Sequence, residues 1–567
     1  VDIHALLSSM TLDEKIGQLF LLAFSKNRLD EARVLFEDHF VGAAYISNDN
    51  VPDPQSAVTL TTQLQQYAGN TRLGLPLLVG ADQEGAWGVM VPASCTGPGN
   101  MALGATANPR RVAQMYQVIG EELASVGINT LFAPCADCNS NPHNSIIGMR
   151  AFGEKPALVG ALTAAAVQGA QAGGVAVAIK HFPGHGDTTL DSHRGLPTVS
   201  RTRAELFKTD LFPFQEGIRA GADMVMTAHI VFTALDPDNP ATLSKTVLQD
   251  VLRGDFDFKG VVLSDSMNMG AMKRNYRPEV AVVQALLAGV DVIMLAEEHY
   301  DHNAMTYVKQ QIALLDCVKH AVEDGTLPIS RIDQAVERVL TLRAKHGLLT
   351  KFDSGQTAVN IVGSAGHRAI ELQVSRDAVG ILRDVHHLLP ISDAVPLVLI
   401  NTSQRISYAA FNSTRGIGPN QTTPAFDYFV AVMQQKASHI RVISAEMFNT
   451  SDLSFDDDAL LIAVTENYPL PGMDFDQTNQ PAMLHALAEQ YTKRLIVVAL
   501  RDPYELSDLP DIEAYLCAFS FRPSAAQAAV DILFGEYAAL GKSPVTVLNT
   551  TITANESLQK LTEVDSG

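Results

Sequence analysis

The sequence predicts an α/β protein, an N-terminal (β/α)8 TIM barrel followed by a smaller α/β sandwich domain. Three observations carry this. The chain has 567 residues, more than one hydrophobic core ordinarily serves. Through residue 345, short apolar runs alternate with longer amphipathic stretches, the pattern of strand-then-helix units. The polar and chemically unusual residues crowd the ends of the short runs, where a barrel gathers its chemistry.

The first helix signal is Thr11-x-x-Glu14 ahead of an apolar run, a capping box. Eight strands are expected at 17–23, 41–46, 75–81, 128–133, 175–179, 224–227, 261–263 and 290–295. Each is too short for a buried helix and mostly lacks strict polar–apolar alternation, as parallel strands covered on both faces should. Helices are expected between them at 109–126, 157–172, 203–220, 280–288 and 307–323, with 332–345 closing the series. A doubly wound sheet is the rival. It would use fewer strands, and no G-x-G-x-x-G or G-x-x-x-x-G-K-[ST] follows any of these runs. The barrel is therefore assigned to 1–349. Residues 350–366 have the Gly, Ser and Thr content of a linker, and 367–567 form the second domain. Its strands are expected at 378–382, 397–400, 440–443, 459–464, 495–499 and 514–519, and its helices at 424–435, 481–491 and 524–534.

Composition narrows the function. Hydrophobic residues make up 47% and charged residues 18%, which excludes a disordered chain or a pure coiled coil. The net charge of −21 repels phosphate backbones and argues against a nucleic-acid partner. No run of eighteen uncharged apolar residues occurs, so no membrane span is expected. Five cysteines are too few for a disulfide scaffold. Cys135 and Cys138 form a C-x-x-C pair, but the nearest further ligand, His143, lies in a Pro/Asn loop, and both read as structural thiols. Unpaired cysteines and an N-terminal Val compatible with a removed Met favour a cytoplasmic location over secretion.

The densest chemistry lies in Lys180-His181-Phe182-Pro183-Gly184-His185-Gly186-Asp187-Thr188-Thr189-Leu190-Asp191-Ser192-His193-Arg194-Gly195-Leu196-Pro197. Three readings compete. His181, His185, Asp187, Asp191 and His193 could ligate a metal, though their spacings match no metalloenzyme signature. Gly184–Thr188 could cradle a phosphate, though it lacks the Walker lysine. Asp191 and His193 could form a carboxylate–imidazole pair, in which the carboxylate holds one ring nitrogen and the other faces a substrate as acid and base. A lone histidine is as often structural as catalytic; the adjacent aspartate and the strand-end loop weigh toward the third reading. Asp265 follows the seventh strand. It could merely cap the next helix, but barrel geometry aims it at the same pocket. A carboxylate facing an acid/base group is the layout for transferring a glycosyl group to water. Asp82, Arg150, Lys180 and His181 are each ambiguous. Together at strand ends they fit a polar ligand, with Asp82 accepting from sugar hydroxyls and the other three donating to them.

With these residues in place the sequence resembles glycoside hydrolase family 3, in its NagZ-like β-N-acetylglucosaminidase branch. The resemblance rests on the segment Lys180 to Thr188, with Asp191-Ser192-His193 and Leu196-Pro197. Supporting pieces are Asp82-Gln83-Glu84-Gly85, Asn129 to Pro134, Ile147 to Gly153, Thr227-Ala228-His229, and Ser264-Asp265 with Met269-Gly270-Ala271. The second half is similar to the second domain of longer family members. The resemblance implies Asp265 as a nucleophile forming a covalent glycosyl-enzyme, His193 as general acid/base and Asp191 as its partner. Asp82, Arg150, Lys180 and His181 would bind the sugar. It also implies a retaining reaction without metal or cofactor, on terminal β-linked GlcNAc of chitin-type oligosaccharides or peptidoglycan fragments. The departures are Trp87 where relatives carry an arginine, Asp137-Cys138 for an Asp-Val, and Ser266 for a second aspartate. Two other functions stay open, a β-glucosidase or β-xylosidase on the same fold and a non-catalytic sugar-binding protein.

Overall fold

The computed structural model describes residues 2–24, 29–88, 91–144, 146–189, 192, 195–296, 304–350, 359–403, 421, 423–450, 455–466, 479–509 and 512–547. In the first half, eight strands run parallel in one sheet: β1 (Phe20–Leu22), β2 (Ala43–Tyr45), β3 (Leu78–Ala81), β4 (Thr130–Leu131), β5 (Ala176–Phe182), β6 (Met224–Thr227), β7 (Val261–Leu263) and β8 (Ile293–Leu295). Neighbours in sequence are neighbours in space. Leu21 faces Ala43, Ala44 faces Val79, Gly80 faces Thr130, and Thr130 faces Ala176. Beyond these, Ala178 faces Met224 and Met224 faces Val261. β8 returns to β1 with Ile293 opposite Phe20, and one parallel bridge, Leu263 to Val292, joins β7 to β8. The eight strands form the expected barrel.

All eight are buried throughout, which explains their apolar runs. The surrounding helices include Pro109–Ser125, Pro156–Ala172, Pro278–Ala288, Ala304–Glu323 and Ile329–Lys345. The Thr11/Glu14 capping box forms at the start of Leu12–Gly17. One expectation is corrected. The single helix at 203–220 is two, Arg203–Lys208 and Phe212–Arg219. Pro213 has no amide to donate and its ring clashes with a preceding helical turn, so the chain breaks and restarts with Pro213 in the first turn of the second helix.

The second half holds a six-stranded sheet. Its strands are β9 (Gly380–Asp384), β10 (Leu397–Asn401), β11 (Ile440–Ile443), β12 (Leu460–Thr465), β13 (Leu495–Ala499) and β14 (Ala514–Cys517), in spatial order β9-β14-β13-β12-β10-β11. Only β9 runs antiparallel to its neighbour. Helices Ala425–Lys436, Asn479–Tyr491 and Pro523–Leu533 flank it. Its apolar core extends into the barrel domain and takes in Ala86, Trp87, Met101, Ala102, Ala105 and Met149. Among the described residues, no helix is long and apolar enough to cross a membrane.

Candidate active site

A cavity opens at the carboxyl ends of the barrel strands. It is lined by Tyr45, Asp82, Glu84, Trp87, Ile146, Arg150, Lys180, His181, His185, Ser192, Met226, Asp265, Ser266, Met269, Met294 and Ala296. Five of the residues singled out in the sequence therefore share one space: Asp82, Arg150, Lys180, His181 and Asp265. Asp191 and His193 lie outside the described residues. Ser192, which separates them in the sequence, lines the cavity. Its hydroxyl is 3.3 Å from His185 Nε2, and its carbonyl accepts from the Ala271 amide (2.8 Å) on the segment that follows Asp265.

The polar wall is an alternating charge network. Lys180 Nζ at the end of β5 reaches Asp82 Oδ1 and Glu84 Oε1, each at 2.5 Å. Arg150 grips Glu84 with two nitrogens, Nε to Oε2 at 2.8 Å and Nη2 to Oε1 at 3.0 Å, and donates to the Ile146 carbonyl. Tyr45 at the end of β2 donates to Asp82 Oδ2 (2.7 Å). Burial alone pushes the Glu84 carboxyl up, but Arg150 and Lys180 overcome it and hold the group well below the usual carboxylate range. Burial likewise opposes the Lys180 charge, and Asp82 and Glu84 more than restore it. Both cations stay charged at neutral pH and serve as fixed donors beside the cavity.

Behind this wall stands Asp137. One carboxylate accepts from the His185 amide (2.7 Å), the His181 amide (3.2 Å) and, at Oδ2, the His181 imidazole Nδ1 (2.9 Å). Full burial raises its carboxyl to about 6. Burial and the neighbouring Arg150 push His181 well below its ordinary value, and burial beside His181 takes His185 to about 4, so both imidazoles are neutral. His181 Nε2 lies 3.4 Å from Arg150 Nη2. A guanidinium only donates, so Nε2 accepts and the ring proton sits on Nδ1 toward Asp137. His181 was expected as a donor to sugar hydroxyls; in this tautomer its ring proton faces Asp137 and its accepting nitrogen faces Arg150.

Cys135, Asp137 and His181 bring ligand-type atoms within 4.8 Å of one another. Asp137 is already committed to His181, and burial beside Glu84 pushes the Cys135 thiol well above its ordinary value, so it stays protonated, with its Sγ 3.6 Å from Glu84 Oε2, rather than offering a thiolate ligand. Cys135 and Cys138 are both unbridged and buried. The chain reaches these positions by close approach: a side chain at Gly186 would overlap the Cys138 carbonyl oxygen, so only glycine fits.

Asp265 is half-buried, and its Oδ1 accepts from the Ser266 amide (2.7 Å). The turn that carries it is pinned on several sides. His229 Nε2 donates to the Ser266 carbonyl (2.9 Å), Met294 and Ala296 amides donate to the Ser264 and Ser266 hydroxyls (2.9 Å each), and the Met267 amide donates to the Met294 carbonyl (2.9 Å). His229 thus acts from behind the cavity wall. Tyr45, Glu84 and Asp137 were not singled out from sequence as site residues, and His185 entered only as a candidate metal ligand. Tyr45 sits at a strand end, a usable signal; the other three are recognised only by their partners. Trp87, buried at the cavity edge, also belongs to the apolar core of the second domain.

Carboxylates, fixed cations and neutral imidazoles gathered at the carboxyl ends of (β/α)8 strands make a pocket suited to a polar ligand such as a sugar. The chain matches the glycosyl hydrolase family 3 N terminal domain over residues 11–342 and the family 3 C-terminal domain over residues 379–564. It belongs to glycosyl hydrolase family 3 and is a glycosidase of β-linked sugars. It is 30% identical to beta-hexosaminidase A of Pseudoalteromonas piscicida over 95% of this chain and 97% of that one. It is 26% identical to a beta-N-acetylglucosaminidase/beta-glucosidase of Cellulomonas fimi over 96% and 95%. Among solved structures, a family 3 beta-N-acetylglucosaminidase from Paenibacillus sp. FPU-7 superimposes with a TM-score of 0.81 at 30% identity, covering 96% of this chain and all of that one.

Proposed function

We propose that the protein is a retaining exo-β-N-acetylglucosaminidase of the NagZ-like branch. It would remove terminal β-linked GlcNAc from chitin-type oligosaccharides or peptidoglycan fragments. The observation that carries the reading is the position of Ser192. Ser192, between Asp191 and His193 in the sequence, lines the same cavity as Asp265, which supports a shared site for the proposed acid/base pair and the proposed nucleophile. The near full-length similarity to a beta-hexosaminidase supports the choice of sugar.

In this reading Asp265 attacks the anomeric carbon as the bond to the leaving oxygen breaks, and His193 gives that oxygen a proton. Water then attacks the glycosyl ester, His193 takes the water's proton, and Asp265 leaves as a carboxylate. Asp191 holds the imidazole in register. Asp82, Lys180, Arg150 and His181 form the subsite for the terminal sugar.

Hydrolysis of p-nitrophenyl β-GlcNAc beside the β-glucoside and β-xyloside tests the substrate. The highest kcat/KM is expected on the GlcNAc derivative, with the β-anomer of GlcNAc formed first by NMR. A preference for the glucoside would make the enzyme a β-glucosidase. Turnover of none would leave a sugar-binding protein.

His193→Ala tests the acid. Against a chitin disaccharide, whose leaving group needs the proton, kcat should fall by on the order of 10² to 10⁴. Against a dinitrophenyl glycoside, which leaves without one, the first step should slow far less. An equal loss on both substrates would take the acid role away from His193.

A further inference from the structure

The loop that follows β4 carries Ile146 and Arg150 to the cavity, and the second domain grips it at both ends. At one end Asn139, fully buried, donates from its side-chain amide to the Tyr504 hydroxyl oxygen (2.6 Å), while its side-chain carbonyl accepts from the Gly148 amide (3.1 Å). At the other end the Pro544 carbonyl accepts from the Glu154 amide (3.2 Å), and the Glu154 carboxylate accepts from the Thr546 amide (2.8 Å) and hydroxyl. Between these points Met149 is packed into the second domain's apolar core. Among the described residues the cavity wall itself comes only from the barrel, and the second domain reaches it through this loop and through Trp87, which lines the cavity and packs in the second domain's apolar core.

A carboxamide has a donating end and an accepting end on one rigid plane, so fixing one fixes the other. Tyr504 holds the donor end of Asn139, which aims the acceptor end at Gly148. Gly148 opens the single 3-10 turn Gly148–Arg150, and Arg150 is its last residue. Without the phenol oxygen the buried Asn139 amide loses its partner, and rotating to find another would release Gly148.

We propose that Tyr504 is a positioning residue of the sugar subsite: from the second domain its hydroxyl orients Asn139, and through the Gly148 amide it sets where Arg150 meets the terminal sugar. This rests on the assignment of the cavity as the glycoside site. It also gives Tyr504, which opens the turn Tyr504–Asp508 after β13, a role that requires no second-domain side chain in the cavity.

The test uses the full chain carrying Tyr504→Phe, Asn139→Ala, or both. Hydrogen–deuterium exchange should speed up about tenfold in the peptide containing Gly148 and Arg150 in Tyr504→Phe, and stay at the wild-type rate in the β5 peptide. On the aryl β-glycoside that the wild type hydrolyses best, KM should rise about fivefold, the size of one lost hydrogen bond, with kcat within about twofold. The double variant should lose no more than Asn139→Ala alone, because both substitutions cut one path. Unchanged exchange at Gly148, or effects that multiply in the double variant, would overturn the proposal. So would a lowered melting temperature with KM unmoved, which marks a clamp that only stabilises. The exchange arm needs no substrate. A wild type inactive on every aryl β-glycoside would therefore sink the site assignment, and exchange would still decide whether Tyr504 positions the loop.

Discussion

Asp265→Ala is expected to lower kcat by on the order of 10⁴ or more while leaving the fold intact. The two halves of this expectation have separate causes. Activity is lost because the carboxylate is the group proposed to bond to the anomeric carbon; alanine offers no electron pair, and water held at that distance is a far weaker nucleophile. The fold survives because the turn is held by other contacts, from His229 to the Ser266 carbonyl and from the Met294 and Ala296 amides to the Ser264 and Ser266 hydroxyls. The Asp265 side chain supplies the turn with the hydrogen bond from the Ser266 amide, worth about 1 kcal/mol net. The chain's single tryptophan, Trp87, lines the same cavity, so its emission reports whether the pocket is still formed. A small anion such as azide fits the space a carboxylate leaves. It should restore part of the turnover on an activated β-glycoside and yield the α-glycosyl azide. Residual turnover above about 1% of wild type in a clean preparation, without azide, would place the nucleophile elsewhere.

Much of the barrel is legible from the sequence because parallel strands buried on both faces must be continuous apolar runs. Seven of the eight expected runs contain the observed strand, and the eighth, β5, extends beyond its run to Phe182. What failed to show has identifiable causes. Helix Pro54–Gly69 is rich in Gln and Thr, so its apolar stripe is faint, although Asp53 caps it by accepting from the Ser56 amide (2.9 Å) and Pro54 opens it. Within the site, strand ends point to Asp82, Lys180 and Asp265, because topology alone brings those ends together. Pairing is another matter. Glu84 meets Arg150 across 66 positions, Asp137 meets His181 across 44, and Asn139 meets Tyr504 across 365. No local spacing encodes such contacts. They depend on the register of the barrel and on how the second domain seats against it.

Glu84→Ala is expected to be the most damaging change to the stability of the pocket, costing about 3–5 kcal/mol. Glu84 is buried and is the carboxylate shared by Arg150 and Lys180. Removing it leaves Lys180 with Asp82 as its ion-pair partner and strips Arg150 of two charge-assisted hydrogen bonds, with Lys180 buried and Arg150 reaching water only at the cavity face. Glu84→Gln should be milder in packing but cannot neutralise the pair of charges. Lower sugar affinity should accompany the lost stability, since the fixed donors of the subsite lose their anchor. The same pairing sets an acid dependence. The folded-state carboxyl of Glu84 is depressed below its unfolded value, so its contribution is fully present above the unfolded value, near 4.3, and fades as pH falls below that toward the folded value. Urea melts followed by Trp87 emission at pH 7 and in steps from pH 5 downward read both effects. The wild type should lose stability on acidification more steeply than Glu84→Gln, which has no such proton to take up. Parallel acid profiles for the two proteins, or a Glu84→Ala variant as stable as wild type at pH 7, would mean that Arg150 and Lys180 are held by something other than this carboxylate.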